Sequence, residues 1–422
     1  MSGREFFIMG VFILGLPCAV VLRADECTPP SSGPDAVVME IVGNQYWATI
    51  GGISAFSFGS DMLNRGDAPL PWNGQVGIGQ NVYRLKDDRF EQIGMSWVKV
   101  VSIPTTDSTY CVCVPPGGPF LGIGCSDVYQ ATTNGSQTGS GPRSTVNAFA
   151  GTVPTLGGTG ANAIERRIQV QVSDMDPAFN PGAMYFAELQ LVSPSDSNAG
   201  NSLNNSSYEA RTVTLVSGAW RFSTTGSTIP KNSAIFAWSS IDPSVNITTL
   251  DVPNEGRFLI GSRVSNNGDG TWHYEFAVSN QNSHRSARSF SVPIPPGITV
   301  SNIGFHDIDY HSGEPYEGTD WQGVHGNGAV TWSTESFDVN PNANALRWGT
   351  LYNFRFDANG PGSPGTASLG LFRPGSPDAV DVEVRAPVVA VPLLSAWSLL
   401  VMCVILVAAA QVILRLKAKC IA

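Results

Sequence analysis

The sequence predicts an all-β protein made of antiparallel β-sandwich domains, with a signal peptide in front and one transmembrane helix behind. Three observations carry this. Apolar side chains recur at every second position over most of the chain, turn residues separate those runs, and the long uninterrupted apolar runs lie at the two ends. The 422 residues include 45 Gly and 29 Pro but only 14% charged residues. That composition excludes a coiled coil, a Glu- and Lys-rich helical bundle and a charge-driven disordered chain. Lysine occurs at only five positions, two of them Lys417 and Lys419 near the end, so no basic stripe exists to neutralise phosphates. Nucleic acid is therefore not an expected partner.

Taken in order, residues 1–24 read as a signal peptide. Residues 6–22 are apolar behind Arg4, and Ala24 offers a small residue at the cleavage point before Asp25. Residues 25–250 read as a β-rich domain with long loops. Its expected strands are 37–42, 82–85, 89–101, 167–173, 183–192, 211–216 and 219–223, and residues 132–143 and 193–207 are expected to be exposed loops rich in Asn, Ser and Gly. Residues 251–386 read as a β-sandwich. Trp272, Tyr274, Phe276 and Val278 alternate with His273, Glu275 and Ala277, and the Asn- and Gly-rich stretch 265–270 before them predicts a hairpin. Trp348, Tyr352, Phe354 and Phe356 repeat the alternation, as do Val380, Val382 and Val384; further strands are expected at 290–294, 328–334 and 366–371. Residues 387–392 form a short tether.

Residues 393–414 carry no formal charge and are long enough to span about 30 Å of hydrocarbon as a helix. Arg415, Lys417 and Lys419 follow, so a basic tail over 415–422 is expected to stay in the cytoplasm, with the acidic bulk outside. The stretch Val391-Pro392-Leu393-Leu394-Ser395-Ala396-Trp397, an apolar helix and a basic end resembles the IPTL-CTERM sorting signal, of the same broad class as PEP-CTERM. The matching positions are Pro392, Leu394, Ser395 and Trp397. The resemblance implies an exported bacterial protein held at the inner membrane until a sorting peptidase processes it for the cell surface or extracellular matrix. Between the ends, Tyr83-Arg84-Leu85-Lys86, Gly304-Phe305-His306-Asp307 and Trp348-Gly349-Thr350-Leu351-Tyr352 resemble a group of exported bacterial proteins with no established activity.

Of the seven cysteines, Cys27, Cys111, Cys113 and Cys125 fall in the exported part. An even number in an oxidising compartment predicts two disulfides, with three pairings open. The densest polar constellation is Asp307, Asp309 and His311. Two carboxylates and an imidazole suit a divalent cation if a turn gathers them, and would serve a secreted metal-dependent hydrolase acting on glycans or phosphoesters. The other reading is a loop network in which the carboxylates cap backbone N–H groups; no cofactor beyond such a cation is expected. Trp321, near Tyr310 and Tyr316, offers a stacking platform for a carbohydrate-binding module if exposed and a core contact if buried. No Gly-x-Ser-x-Gly elbow, phosphate loop or His-Glu-x-x-His helix is present. The function expected is a structural or adhesive role at the cell surface or matrix, with the membrane, a sorting peptidase and polysaccharide as partners.

Overall fold

The computed structural model describes residue 27, residues 32–389 and residues 404–411. The protein is mostly antiparallel β, 46% strand against 9% helix. Its described residues divide into two units. One runs to Phe236 and adds Gln281–His284 and Ile308–Pro315; the other takes Ala237–Asn280, Arg285–Asp307 and the residues from Tyr316 on. The division comes before residue 250. The short helix Phe236–Ile241 places Trp238 against Gly261, where a Cβ would meet the indole at 2.8 Å, and the strand Asn246–Asp251 pairs with Arg257–Asn266.

In the first unit eight strands form one path. They are β1 (Ala36–Ile50), β2 (Ile53–Asn64), β3 (Gly77–Lys86), β4 (Arg89–Met95), β5 (Ile168–Gln171), β6 (Met184–Val192), β7 (Ser206–Val216) and β8 (Ala219–Thr224), ordered β1-β2-β5-β4-β3-β6-β7-β8. The strand Ser126–Tyr129 pairs with β2 off this path. The sheet curls until its far end meets its start: Ser207 Oγ donates to the Val38 carbonyl at 2.6 Å, and the Arg211 guanidinium to that of Ile41 at 3.0 Å. The core lies inside this curl. Phe222 of β8 packs edge-on against Phe56 of β2 at 4.9 Å, among Val38, Trp72, Ile78 and Leu189.

The segments expected as exposed loops at 132–143 and 193–207 are corrected here, since Asn134, Ser140, Arg143, Asp196 and Asn205 are buried. Each is held by hydrogen bonds that make burial affordable. Asn134 Nδ2 donates to the Phe58 carbonyl at 3.0 Å, and Asp196 accepts from the Ala36 N–H at 2.8 Å and from Asn205 Nδ2 at 2.8 Å.

The second unit holds two five-stranded sheets. One is β9 (Asn246–Asp251), β10 (Arg257–Asn266), β11 (Trp272–Asn280), β16 (Leu351–Ala358) and β13 (Val300–His306), in that order. The other runs β14 (Gln322–Gly326), β15 (Ala329–Ser333), β12 (Ala287–Pro293), β17 (Gly362–Leu371), β18 (Ala379–Pro387). The expected hairpin joins β10 and β11, with Asn266 opposite Trp272 and Gly268 and Gly270 at φ of 83° and 90°, values that favour glycine. Aromatic rings fill the space between the sheets: Phe276, Phe305, Phe354 and Phe356 from one, Phe290 and Trp332 from the other, with Phe290 and Phe354 at 5.0 Å.

Of the apolar run 393–414, the described part is helical residues 404–411, whose side chains are exposed. Among the described residues no helix is long and apolar enough to cross a membrane. The signal peptide, the sorting motif Pro392, Leu394, Ser395 and Trp397, and Arg415, Lys417 and Lys419 lie outside the described residues.

Candidate functional site

The structure does not gather the residues expected to bind metal. Asp307 accepts a hydrogen bond from Asn344 Nδ2, Asp309 is exposed, and His311 is buried with Nε2 donating to the Arg167 carbonyl. Among the described residues no group of three or more His, Cys, Asp or Glu side chains is placed to hold a metal ion. His311 instead belongs to the packing of the first unit. Burial pulls its imidazole down to about 4, so it stays neutral, with Nδ1 3.4 Å from the Ser312 hydroxyl. Below the unfolded value of about 6.5 the unfolded chain takes the proton first, so this stability is lost as pH falls from about 6.5 towards 4. The expected loss is about 3 kcal/mol over that window; His311→Gln should flatten that part of a urea-stability curve measured against pH.

The sugar-stacking platform is likewise corrected. Trp321 is only 1% exposed, its indole N–H donates to the Asn344 carbonyl, and its ring stacks on Phe305 at 5.8 Å. An indole that finds both a ring to stack on and a carbonyl for its N–H gains more inside than on the surface. Tyr316 is covered by the Arg347 guanidinium, 3.6 Å above its ring, and Tyr310 is half-buried.

The four cysteines considered above form Cys27–Cys111 and Cys113–Cys125, with sequence separations of 84 and 12. Cys111-Val112-Cys113 is thus split between two bridges. They staple one long segment of the first unit, residues 102–125, which connects the strand Val98–Val100 to the strand Ser126–Tyr129. Its regular structure is the two-residue strand Phe120–Leu121, paired with Leu70–Pro71; a connection of this length is usually functional or disordered, and the anchoring here excludes disorder. At its start the Ser102 N–H donates to the Tyr129 hydroxyl at 2.6 Å. Asp127 then holds Thr105 through its N–H at 3.0 Å and its hydroxyl at 2.8 Å, while its other oxygen accepts from the Trp72 indole at 2.8 Å. Asp107 and Ser126 exchange backbone hydrogen bonds of 3.0 Å, and Val114 N–H reaches the Ile123 carbonyl at 3.0 Å. Two glycines are obligatory at the base. A Cβ at Gly122 would lie 2.1 Å from the Val114 carbonyl, and one at Gly124 (φ 69°) 2.5 Å from that of Val112.

The side chains this frame leaves outside are apolar. Val112 is 85% exposed, Ile103 66% and Val114 59%, with Phe120 also exposed beside Pro115, Pro116 and Pro119. Val112 and Val114 point outward because their neighbours Cys111, Cys113 and Tyr110 are tied to the body of the unit. Exposed apolar side chains become a contact surface where they form one continuous patch. Rigid presentation also lowers the ordering entropy that binding would otherwise cost.

Beneath the loop, Tyr110 donates its hydroxyl to Asp61 Oδ2 at 2.9 Å. Burial pushes the Asp61 carboxyl up to about 7 and drives the Tyr110 hydroxyl above its ordinary range. Burial also raises Asp127, whereas the Thr109 hydroxyl holds the exposed Asp107 carboxyl below its ordinary value. What the arrangement offers is a set of exposed apolar side chains on an anchored segment, with the Asp61 and Asp127 carboxylates buried beneath it. Sequence reasoning identified the staple and passed over the face. The available signal was Val112 and Val114 alternating with cysteines in a Pro- and Gly-rich stretch too short to form its own core.

No family model matches the chain, and no curated protein does. Among solved structures, the exo-chitosanase CsxA of Amycolatopsis orientalis is 10% identical at a TM-score of 0.16 over 82% of this chain. The chain spans 26% of that protein's length. The N-terminal domain of the Streptococcus gordonii adhesin Sgo0707 is 6% identical at a TM-score of 0.19, covering 87% of this chain and all of that one. A biofilm-associated protein B domain gives 8% identity and a TM-score of 0.13 over 85% of this chain and 88% of its own. Overlays at such scores decide nothing about this chain.

Proposed function

We propose that this chain is an exported structural or adhesive protein that works at the cell surface or in the extracellular matrix, reaches it through the C-terminal sorting signal and apolar span, and makes its contacts through the stapled loop. The observation that carries the reading is the loop itself: two disulfides and a buried carboxylate fix a segment whose outermost side chains are Val112, Ile103 and Val114. A chain in a reducing compartment would gain little from two such bridges. An apolar face of this kind suits an apolar patch on another surface component, through area removed from water at about 25 cal/mol per Å².

The test is retention of the protein on the surface of the cells that produce it. Val112→Asp with Val114→Asp puts two charges on the face without touching either bridge or the core. Retention should fall at least tenfold while the thermal midpoint of the purified chain stays unchanged. Equal retention of the double variant and the parent would remove the loop from the function.

A further inference from the structure

Asp61 lies on β2 beneath the stapled loop and is 4% exposed. Its Oδ2 accepts from Tyr110, the residue next to the Cys27–Cys111 bridge, while its Oδ1 is buried with no hydrogen-bond partner among the described residues. The two strands paired with it and the loop each bring a carboxylate near it. Glu40 of β1 is its register partner, Asp127 lies beside its partner Val128 on the other flank, and Asp107 and Tyr110 come from the loop. A carboxylate in this place would be a further negative charge with one oxygen unsolvated, and moving the loop away is the direct route to water.

We propose that Asp61 is a proton-controlled latch for the stapled loop: protonated, it holds Tyr110 and keeps the apolar face in its fixed presentation; ionised, it releases the loop. This rests on the reading of the loop as the contact element and adds its regulation. The sign follows from the two protonation constants. Burial, joined by Asp107, Glu40 and Asp127, holds the closed-state carboxyl at about 7 against the opposing hydrogen bond from Tyr110, whereas with the loop open it returns towards 3.8. Opening is therefore rarest in acid, grows by about tenfold per pH unit between about 4 and 7, and levels off above.

Hydrogen exchange on the full oxidised chain in detergent tests this, after correction for the intrinsic pH dependence of exchange. The reporters are the Asp107 and Val114 amides, which bond to the Ser126 and Ile123 carbonyls. Their protection should fall by about fiftyfold from pH 5 to pH 7 and by only about twofold more to pH 8. Asp61→Asn should hold protection constant, and Tyr110→Phe should move the upper limit of the pH-dependent range higher. Protection in the parent that ignores pH, or the same pH dependence in Asp61→Asn, would overturn the latch. So would millimolar Ca²⁺ restoring protection at pH 8, since a cation and not a proton would then be the control. Exchange reads the latch alone and surface retention reads the contact alone, so either can fail without the other.

Discussion

Phe354→Ala is expected to cost about 3–5 kcal/mol, the range for emptying a large aromatic site in a packed core. Phe354 is fully buried in β16 and meets four rings at once: Phe290 at 5.0 Å, Trp332 at 5.4 Å, and Phe305 and Trp321 at 5.5 Å. Removing it leaves a cavity walled by planar side chains, which close over a void less readily than aliphatic ones because each ring must move as a body. Phe290 and Trp332 come from one sheet while Phe305 comes from the other, so the void would sit where the two sheets of the second unit meet. Phe354→Leu should recover a large part of the loss by refilling volume, though not the ring contacts. Urea denaturation of the three proteins gives the comparison directly. A cost below about 1 kcal/mol for the alanine variant would mean that this aromatic layer relaxes freely and does not define the packing.

The same layer shows where the sequence was legible. Alternation revealed β11 and β16 because their inward positions are aromatic: Tyr274 and Phe276, then Tyr352, Phe354 and Phe356. The hairpin between β10 and β11 was announced by its Asn and Gly turn. β2 gave no such signal. It is buried on both faces over nearly its whole length, so Ser54, Ser57 and Ser60 lie as deep as Phe56 and Phe58, and period two disappears. β13 and β14 escaped notice because they are edge strands with largely exposed or half-exposed residues and little apolar pattern.

At the site level, cysteine arithmetic gave two bridges but not their partners, since pairing depends on which loop segments the fold brings to a Cα separation of 5.4 Å, as it does Cys27 and Cys111. The acidic cluster at 307–311 drew attention by composition. Its members were separated by tertiary choices no local pattern carries: Asp307 is bound to Asn344, and His311 to a carbonyl 144 positions earlier in the chain. Trp321 was ambiguous for a similar reason. Its Gly-rich surroundings suggest a surface, whereas Phe305 and the Asn344 carbonyl, remote in sequence, bury it.

Glu188→Ala should be as damaging to the first unit, at about 3–5 kcal/mol, because it breaks a buried charge network from one side. Glu188 is buried on β6. One of its oxygens accepts from Asn81 Nδ2 and from the Tyr83 hydroxyl, both at 2.9 Å; the other accepts from the Ala234 N–H at 2.6 Å. Burial drives its carboxyl and the Tyr83 hydroxyl above their ordinary ranges. Nearby, Arg143 gives its guanidinium to the Ser96 and Gln80 carbonyls and to Asn81 Oδ1, at 2.8–2.9 Å, and burial pulls it down to about 10. The alanine variant therefore strands three donors and removes the carboxylate that helps keep this guanidinium charged.

Glu188→Gln retains a carbonyl for some of those donors and should cost less, about 1–3 kcal/mol. The decisive comparison is a double-mutant cycle pairing Glu188→Leu with Arg143→Met, read by urea denaturation. If the network supplies net stability, the double variant will be as unstable as the worse single one, or more so. If its charges are merely compensating one another's burial, the double variant will be more stable than either single variant, because each substitution removes the penalty the other creates. The latter is expected. Arg143 lies in a segment whose backbone N–H also donates to Glu314 at 2.6 Å, and apolar replacements would leave that backbone anchor and the surrounding strand pairing in place.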